Sequence, residues 1–276
     1  EITEGYDPAN FTKIYYVDCM RPNDSGDGLS LSTAKKTIWA AINTVVKNGM
    51  EYVILAAPGT YTDTDINYNG KSIKLRSTAG AGQTVIDGGN SRPFRFDHSE
   101  GPDCWVDGFT LTNSYCGDSS CGSIFMASAS PWIKNCVLTG FRGTNAIYMT
   151  SSSSRISNCE FRDNTCRAVY SEYGNNIIEN SQFMANISGT GPALFATQGT
   201  GLVVKDSVFK NNIANGTGGA VYVDRTPSTF QRCEIRGNAA TSNGGGVLIT
   251  SNNWHVALFE NCMIAGNQSN SSYGGL

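Results

Sequence analysis

The stretch that decides the fold is FKNNIANGTGGAVYVD, residues 209–224. It joins a large apolar residue, an asparagine pair and a double glycine to a short run of small, aliphatic and aromatic residues. Its first half returns along the chain as WIKNCVLTGF, RISNCEFRDN, IIENSQFMAN, FQRCEIRGN and FENCMIAGN. Such self-similarity indicates a repeat architecture, which has to be settled before any single residue is interpreted.

The repeat has a period in the twenties. The large apolar position recurs every 22 to 29 residues, at Leu111, Leu138, Phe161, Phe183, Phe209, Ile235 and Ile264. A second block follows each first one, as GSIFMAS, NAIYMTS, RAVYSEY, PALFATQ, GAVYVDR and GGVLITS. Neither block has helical spacing, and the frame of leucine-rich repeats is absent. We therefore predict an all-β chain that folds as a right-handed parallel β-helix, with about nine turns stacked about 4.8 Å apart.

Asparagine marks the corner after the large apolar position. Asparagine tolerates left-handed backbone and hydrogen-bonds to neighbouring backbone groups, so stacked corner amides can bond to one another along the rod. The double glycine gives the backbone freedom to enter the next strand. We predict a purely structural role for the corner residues Asn164, Asn186, Asn212, Asn238 and Asn267.

Two parts of the chain resemble known families. FKNN…GTGGAV, FRDN, FMAN and GGGV, within residues 105–276, resemble the repeats of chlamydial polymorphic outer membrane proteins. YYVDCMRPNDSGDGLSLSTAKKTIWAAINTV followed by VILAAPGTYT resembles the start of pectate-lyase-like proteins, with a strand, a loop, a helix and the first turn. Both resemblances imply a β-helix. The second also implies a polysaccharide-lyase chemistry that uses Ca²⁺, Lys or Arg on a uronate.

A helix should cap the rod. Ser32 can cap a helix from Thr33 to about Lys47 that ends at Asn48 and Gly49. Such a helix would cover one open end of the solenoid. We therefore divide the chain into residues 1–50, the N-terminal strand and capping helix, and residues 51–276, one continuous β-helix. The apolar helix face is Ala34, Ile38, Ile42, Val45 and Val46.

Composition excludes several partners. Charged residues make up 16% of the 276 residues, the net charge is −3, and no basic tract occurs, which argues against nucleic acid. No apolar run reaches membrane-spanning length, and no signal-peptide pattern opens the chain. Sequons permit an extracellular or cell-surface glycoprotein, although a chain so rich in Asn, Ser and Thr contains several by chance. The candidate glycosylation sites are Asn10, Asn23, Asn186, Asn215, Asn267 and Asn270.

The groups that lyase chemistry needs do not cluster in the sequence. Arg167, Glu172, Asp224 and Arg225 lie in or beside the second block, and Lys210 lies at a corner. Each fits a solvated charge better than a catalytic role, and no pair of Asp residues repeats on neighbouring turns to hold Ca²⁺. NDSGDG, residues 23–28, resembles a calcium loop but lacks its terminal Glu. His98 and His255 are isolated. We predict no catalytic residue, no metal and no cofactor.

Nine cysteines leave at least one without a partner inside the chain. Cys136, Cys159, Cys233 and Cys262 share one column of the repeat with Ser181 and Ser207, which indicates a small, buried, stacked column. Cys116 and Cys121 can close a local disulfide, whereas the sequence gives no pairing for Cys19, Cys104 and Cys166.

The second block alternates between two faces. One set ends in Thr, Glu, Thr, Asp and Thr and is assigned to the outside, which puts an aromatic stripe on the surface. The alternatives are that a loop covers the stripe or that the two faces are reversed. If exposed, the stripe invites a glycan or a neighbouring protein. The stripe consists of Phe125, Tyr148, Tyr170, Phe195 and Tyr222.

These features favour an extracellular, non-catalytic β-helix with a structural, adhesive or filament-forming role. A polysaccharide lyase or hydrolase, and a carbohydrate-binding module without catalysis, remain alternatives. The last residues, NQSNSSYGGL, begin a further repeat and stop at Leu276 without a cap. We expect either more turns in a longer chain or head-to-tail packing of another chain on this end.

Overall fold

The computed structural model describes residues 11–117, 122–251 and 256–271. Its strands form three long parallel sheets, A, B and C, and a short sheet D at one corner. Each strand pairs in parallel with the equivalent strand of the next turn, for example Phe183 with Phe209 and Val204 with Phe230. The predicted parallel β-helix is therefore confirmed.

Sheets A and B line two sides of the rod. The strands of sheet A are Phe11–Val17, Glu51–Ala56, Ser72–Ser77, Trp105–Asp107, Trp132–Lys134, Arg155–Ser157, Asn175–Glu179, Gly201–Lys205, Ser228–Gln231 and Ala257–Glu260. The strands of sheet B are Gly59–Tyr61, Thr84–Asp87, Thr110–Thr112, Val137–Thr139, Glu160–Arg162, Gln182–Met184, Val208–Lys210, Glu234–Arg236 and Met263–Ala265. The nine strands of sheet B are separated by eight turn-to-turn steps.

Sheet C closes the third side. Its strands are Phe94–Phe96, Ile124–Ala127, Arg142–Thr150, Thr165–Glu172, Leu194–Thr197, Val221–Asp224 and Val247–Thr250. The short strand Tyr115–Cys116 also pairs with Arg142–Thr150. Sheet D consists of Ile187–Ser188, Ile213–Ala214, Ala239–Ala240 and Gln268–Ser269.

One inward column from each sheet fills the core. Leu75, Val106 and Ile133 of sheet A and Phe161 and Phe183 of sheet B are fully buried. Because side chains alternate along a strand, every second residue of a strand points into this core and the residues between them point outward. The core is thus a continuous stack rather than a set of separate clusters.

A single left-handed residue turns the chain from sheet A to sheet B. The φ angle lies between 48° and 54° at Asn135, Asn158, Asn180, Asp206, Arg232 and Asn261. Asn and Asp reach this conformation at lower cost than other L-residues, which explains their recurrence here.

The corner asparagines form a buried ladder. The Nδ2 of Asn186 donates to the Oδ1 of Asn212 at 2.9 Å and to the carbonyl of Phe161 at 3.0 Å. Asn212 repeats both bonds with Asn238 and Phe183. Asn186 is fully buried, and its side-chain amide donates to both of these acceptors. Glycosylation at this sequon stays a prediction.

The N-terminal cap differs from the prediction in its bounds. Helix α1 spans Ile38–Thr44, and Thr37, not Ser32, caps it by accepting from the N–H of Ala40. A separate 3₁₀ turn, Leu31–Thr33, precedes it. The Asp24 carboxylate accepts from the N–H groups of Lys36 and Thr37, and Lys35 forms a bridge with Val17. These contacts keep residues 34–36 out of the helix.

Helix α1 still packs as a cap. Ile38, Ala41 and Ile42 are fully buried against the core. Of the predicted apolar face, Val45 is buried just after the helix and Val46 is exposed.

Candidate functional site

The outer face of sheet C carries the predicted aromatic stripe, which we call the aromatic ladder: Phe125, Tyr148, Tyr170, Phe195 and Tyr222. The alternate positions point inward, and Ile124, Ile147 and Val169 are fully buried. The rings of the ladder lie on the outer surface and are half-buried, apart from Tyr148, which is 6% exposed. The assignment of faces is therefore correct, whereas a ligand-binding role stays a prediction.

Successive rings of the aromatic ladder contact one another. Their centroids are 5.7 Å apart from Phe125 to Tyr148, 5.1 Å from Tyr148 to Tyr170 and 4.7 Å from Phe195 to Tyr222, with interplanar angles of 10° to 18°. The step from Tyr170 to Phe195 is different, because those rings meet edge to face at 75° and 5.2 Å. Stacking covers most ring faces, so the ladder exposes mainly ring edges at the surface.

Arg167 lies at the irregular step. Its guanidinium carbon is 5.1 Å from the Tyr170 ring centroid and 4.7 Å from that of Phe195, within reach of a cation–π contact. Its Nε donates to the carbonyl of Thr190 and its Nη1 to the Oδ1 of Asn145. Burial lowers the pKa of Arg167 to about 10. The side chain thus ties the ladder to the loop that precedes the next strand.

Glu172 joins two tyrosines of the ladder. Its carboxylate accepts from the phenol of Tyr148 and, at 3.0 Å, from that of Tyr170. Burial, and then the Glu172 charge and its hydrogen bond, raise the pKa of Tyr170 to about 12. Burial and the hydrogen bond to Glu172 raise the pKa of Tyr148 as well. Both phenols therefore stay protonated as donors at neutral pH.

Beside the ladder runs a second outward column, which we call the polar row: Thr150, Glu172, Thr197, Asp224 and Thr250. Asp224 accepts from the hydroxyls of Thr197 at 2.9 Å and Thr250 at 2.8 Å, and from the Nη2 of Arg225 at 2.8 Å. The hydrogen bond from Arg225 is the main cause that lowers the pKa of Asp224. Both carboxylates of the row are thus held by neighbours.

Of the five charged residues that the sequence analysis considered for lyase chemistry, four lie on one face of the rod and one lies on another. Arg167, Glu172, Asp224 and Arg225 lie on or beside sheet C, whereas Lys210 ends a strand of sheet B. Within the described ranges no three His, Cys, Asp or Glu side chains come together in a way that could hold a metal ion. The face can offer hydroxyl, phenol and carboxylate groups in a straight line along the rod.

Sheet A carries an aromatic pair that the sequence analysis missed. The rings of Trp105 and Trp132 meet edge to face at 5.6 Å. The Lys134 Nζ lies 3.5 Å from the Trp105 centroid and 4.4 Å from that of Trp132, and 3.6 Å from Asp107. Burial is the main cause that lowers the pKa of Lys134. The available signal was a Trp at one repeat position in CWVDGF and in PWIKNC.

A shallow cleft of about 240 Å³ borders this pair. It is lined by Pro102, Asp103, Trp105, Ser130, Trp132, Ser153 and Arg155. The indole N–H groups already donate to the Pro102 carbonyl and to the Ser157 hydroxyl. Arg155 lies over Trp132 and pairs with Glu179, so the cleft walls are held by internal contacts.

The remaining predicted sites are scattered. Asn23, Asn215 and Asn270 are exposed, Asn267 is the half-buried end of the asparagine ladder, and Asn10 lies outside the described residues. Sequon occupancy at the exposed sites stays a prediction.

The cysteines divide into three groups. Cys116 is disulfide-bonded, and because Cys121 falls outside the described residues, their pairing stays a prediction. Cys19, Cys104 and Cys166 are free thiols. The cysteine column is buried as expected for Cys136, Cys159 and Cys233, while Cys262 is half-buried.

Two expectations concern regions beyond the site. Gly274 to Leu276 lie outside the described residues, so the predicted packing on that end stays a prediction. None of the helices in the described part of the chain has the length and apolar character that a membrane crossing requires.

Comparisons with known proteins agree with the fold. A search of curated protein sequences gives no match. In structure the chain is similar to a pectate lyase, with a TM-score of 0.64 and 14% identity over 95% of this chain and 79% of that protein. It is also similar to a rhamnogalacturonan lyase, with a TM-score of 0.54 and 12% identity over 87% of this chain and 73% of that protein. These identities support the fold alone.

The family follows from the sequence itself. The family model described as a right-handed β-helix region matches residues 60–216, which is more than half of the chain. The matched segment includes the inner phenylalanine column, most of the asparagine ladder and four of the five rings of the aromatic ladder. The chain therefore belongs to the right-handed β-helix family.

Proposed function

We propose that this chain is an extracellular, non-catalytic β-helix that adheres to an extended polysaccharide through the outer face of sheet C. One observation carries the proposal: the polar row runs in register beside the aromatic ladder, one rung per turn. Neighbouring rungs lie about 4.8 Å apart, so the face offers hydrogen-bonding groups at a regular interval along a straight line. A polymer with repeating hydroxyl groups fits such a line.

The binding mode differs from sugar stacking on the rings. The ring faces of Tyr148 and Tyr170 are 10° from parallel and cover each other. A sugar chain would instead hydrogen-bond to the polar row and lie against the ring edges. The Thr150 hydroxyl would act as a donor or acceptor to its hydroxyl groups, and the Thr250 hydroxyl, which already donates to Asp224, would act as an acceptor.

The same contacts argue against acid–base catalysis. Glu172 already accepts from two phenols, and Asp224 accepts from two hydroxyls and a guanidinium. A general base must reach a substrate proton and have a suitable pKa. The lowered pKa of Asp224 makes it a weak base, and Arg225 holds it in the charged form.

A polysaccharide lyase is the second candidate, and Arg167 is the observation that favours it. Burial lowers its pKa to about 10, toward the range of a base, and it lies on the same face of sheet C as Glu172. The two structural neighbours are lyases by name. Against this role, the guanidinium is held by Thr190 and Asn145 and packs on two rings.

Titration calorimetry with polygalacturonate, rhamnogalacturonan and alginate tests the proposal. We expect at least one polymer to bind, and Tyr170→Leu and Thr250→Val each to weaken binding about fivefold to tenfold. Trp132→Leu is the matched control, because it removes an outward aromatic ring from sheet A and should leave the affinity unchanged. An equal loss in the control, or no binding, would contradict the proposal.

The same samples separate the second candidate. β-Elimination creates a C4–C5 double bond, which absorbs in the ultraviolet. We expect no such absorbance from the wild-type protein with Ca²⁺ present. Absorbance that grows with time and disappears in Arg167→Lys would establish the lyase instead.

A further inference from the structure

The column of small polar residues between sheets A and B contains two thiol pairs. Its members on six successive turns are Cys136, Cys159, Ser181, Ser207, Cys233 and Cys262. Every cysteine of the column therefore has another cysteine on a neighbouring turn.

The hydroxyls and thiols of this column have the same hydrogen-bonding role. The Ser181 hydroxyl donates to the carbonyl of Glu179 at 2.8 Å and accepts from the N–H of Cys159 at 3.2 Å. The Cys262 thiol donates to the carbonyl of Glu260 at 3.4 Å and accepts from the N–H of Cys233 at 3.4 Å. Serine and cysteine therefore make the same kinds of hydrogen bond at these rungs, and the thiol adds redox chemistry.

The geometry suits a bond between the sulfurs of one pair. Glu234 and Met263, which follow Cys233 and Cys262, are paired in parallel register. Neighbouring strands lie about 4.8 Å apart, inside the Cα separation of about 4.4–6.8 Å that a disulfide spans. The Cys262 sulfur already contacts the backbone of Cys233. Cys262 is half-buried and gives this pair one accessible thiol, while Cys233 is 2% exposed; in the other pair both thiols are buried, with Cys136 1% and Cys159 2% exposed.

We infer that Cys233 and Cys262 are a redox-active pair that a low-molecular-weight disulfide converts into a cross-turn disulfide. In the first step the Cys262 thiolate attacks glutathione disulfide, which forms a mixed disulfide and releases one glutathione thiolate. In the second step the Cys233 thiolate attacks the Cys262 sulfur and releases the second glutathione. The two protein thiols lose two electrons and two protons, and the electrons reduce glutathione disulfide to two glutathione molecules.

The consequence is a covalent tie between two turns. Turns of a solenoid contact only their neighbours, so each interface is held by local bonds alone. A bond from Cys233 to Cys262 closes a loop that spans one full turn and removes conformational freedom from the unfolded chain. This inference is independent of the contact face on sheet C.

Peptide mapping tests the inference. Folded protein is incubated with glutathione disulfide, quenched in acid, alkylated and digested without reductant. We expect a pair of peptides linked through Cys233 and Cys262, with a mass two hydrogens below the sum of the two thiol peptides, and two fewer alkylated thiols in the protein. Formation of this disulfide should raise the midpoint of thermal unfolding, and dithiothreitol should reverse that shift.

Serine variants make the test decisive, because serine is the natural residue at two rungs of the column. Cys262→Ser and Cys233→Ser should fold with unchanged circular dichroism and give no linked peptide and no thermal shift. Cys159→Ser, a change in the same column, should leave the linked peptide intact. A stable glutathione adduct on Cys262 with Cys233 still reduced would overturn the inference, as would a link from Cys262 to Cys19, Cys104 or Cys166.

Discussion

Two aromatic columns of the same repeat behave differently. Inside the rod, the rings of Phe161, Phe183 and Phe209 are fully buried and stack at 4.7 and 4.8 Å with interplanar angles of 5° and 2°. On the surface, the ring centroids of the aromatic ladder are 4.7 to 5.7 Å apart and the interplanar angles range from 10° to 75°. Both columns stand on strands in parallel register, so the difference comes from what surrounds the rings.

The surroundings explain the difference in physical terms. Hydrocarbon encloses the inner rings, and close packing leaves them one arrangement. On the surface, Arg167 lies over the rings of Tyr170 and Phe195, which meet edge to face, and Glu172 accepts from two phenols. The inner column therefore contributes stability, while the outer column presents chemical groups.

The largest expected effect is in the inner column. Phe183→Ala removes a buried ring between two others and leaves a cavity, so the free energy of unfolding should fall by about 3–5 kcal/mol. Urea unfolding followed by fluorescence measures it. Tyr170→Leu on the surface is the comparison and should cost much less. Equal losses in the two variants would show that the two columns do not differ in this way.

The next largest effect concerns the asparagine ladder that runs beside the inner column. Asn212 bonds to Asn186, Asn238 and the Phe183 carbonyl. Asn212→Ala leaves buried groups on both neighbouring turns without partners, so we expect a loss of about 3 kcal/mol. Asn215→Ala, at an exposed corner three residues on, is the matched control and should change the free energy of unfolding very little. A neutral Asn212→Ala would contradict the ladder's structural role.

The inner phenylalanine column and the asparagine ladder show what the sequence can predict. The repeat of large apolar residues predicted the first and the corner asparagines predicted the second, because in a β-helix each repeat position occupies one place in every turn. The alternation in the second block predicted which face points outward for the same reason.

Other features depend on contacts between distant residues, which a repeat does not encode. The helix bounds were wrong because Asp24 and Val17 bind residues 35–37 from other parts of the chain. The edge-to-face step at Phe195 lies beside the Arg167 guanidinium, and the repeat pattern does not predict it either. The Trp105 and Trp132 pair was recoverable, since both residues occupy one repeat position.

The hydrogen bond from the Tyr170 phenol to Glu172 gives a third test of how much the aromatic ladder contributes to stability. Tyr170→Phe removes a phenol that donates to Glu172 at 3.0 Å, and should cost about 1 kcal/mol at neutral pH. Denaturant titration measures the loss. Phe195→Tyr is a suitable control, because it adds a hydroxyl to a neighbouring ring that has no bond to lose.

The same phenol gives a pH dependence with a defined sign. Its pKa in the folded chain is raised to about 12 from an ordinary value near 10. The unfolded state therefore loses the proton first, and this contribution to stability is complete below pH 10 and is lost as pH rises toward 12. We expect wild-type stability to fall more steeply than that of Tyr170→Phe across this window. Parallel curves would contradict the shift, and the ultraviolet absorbance of phenolate gives an independent titration.

The smallest expected effect is at the irregular step of the aromatic ladder. Phe195→Leu replaces a half-buried ring with an aliphatic side chain that this column already contains, since Leu248 pairs with Tyr222. Arg167 keeps its bonds to Thr190 and Asn145 and loses one cation–π contact. We therefore expect a loss of only about 0.5–1 kcal/mol, measured by urea unfolding beside Phe183→Ala. A loss as large as that of the inner variant would mean that the outer rings hold the rod together, and the contrast between the two columns would fail.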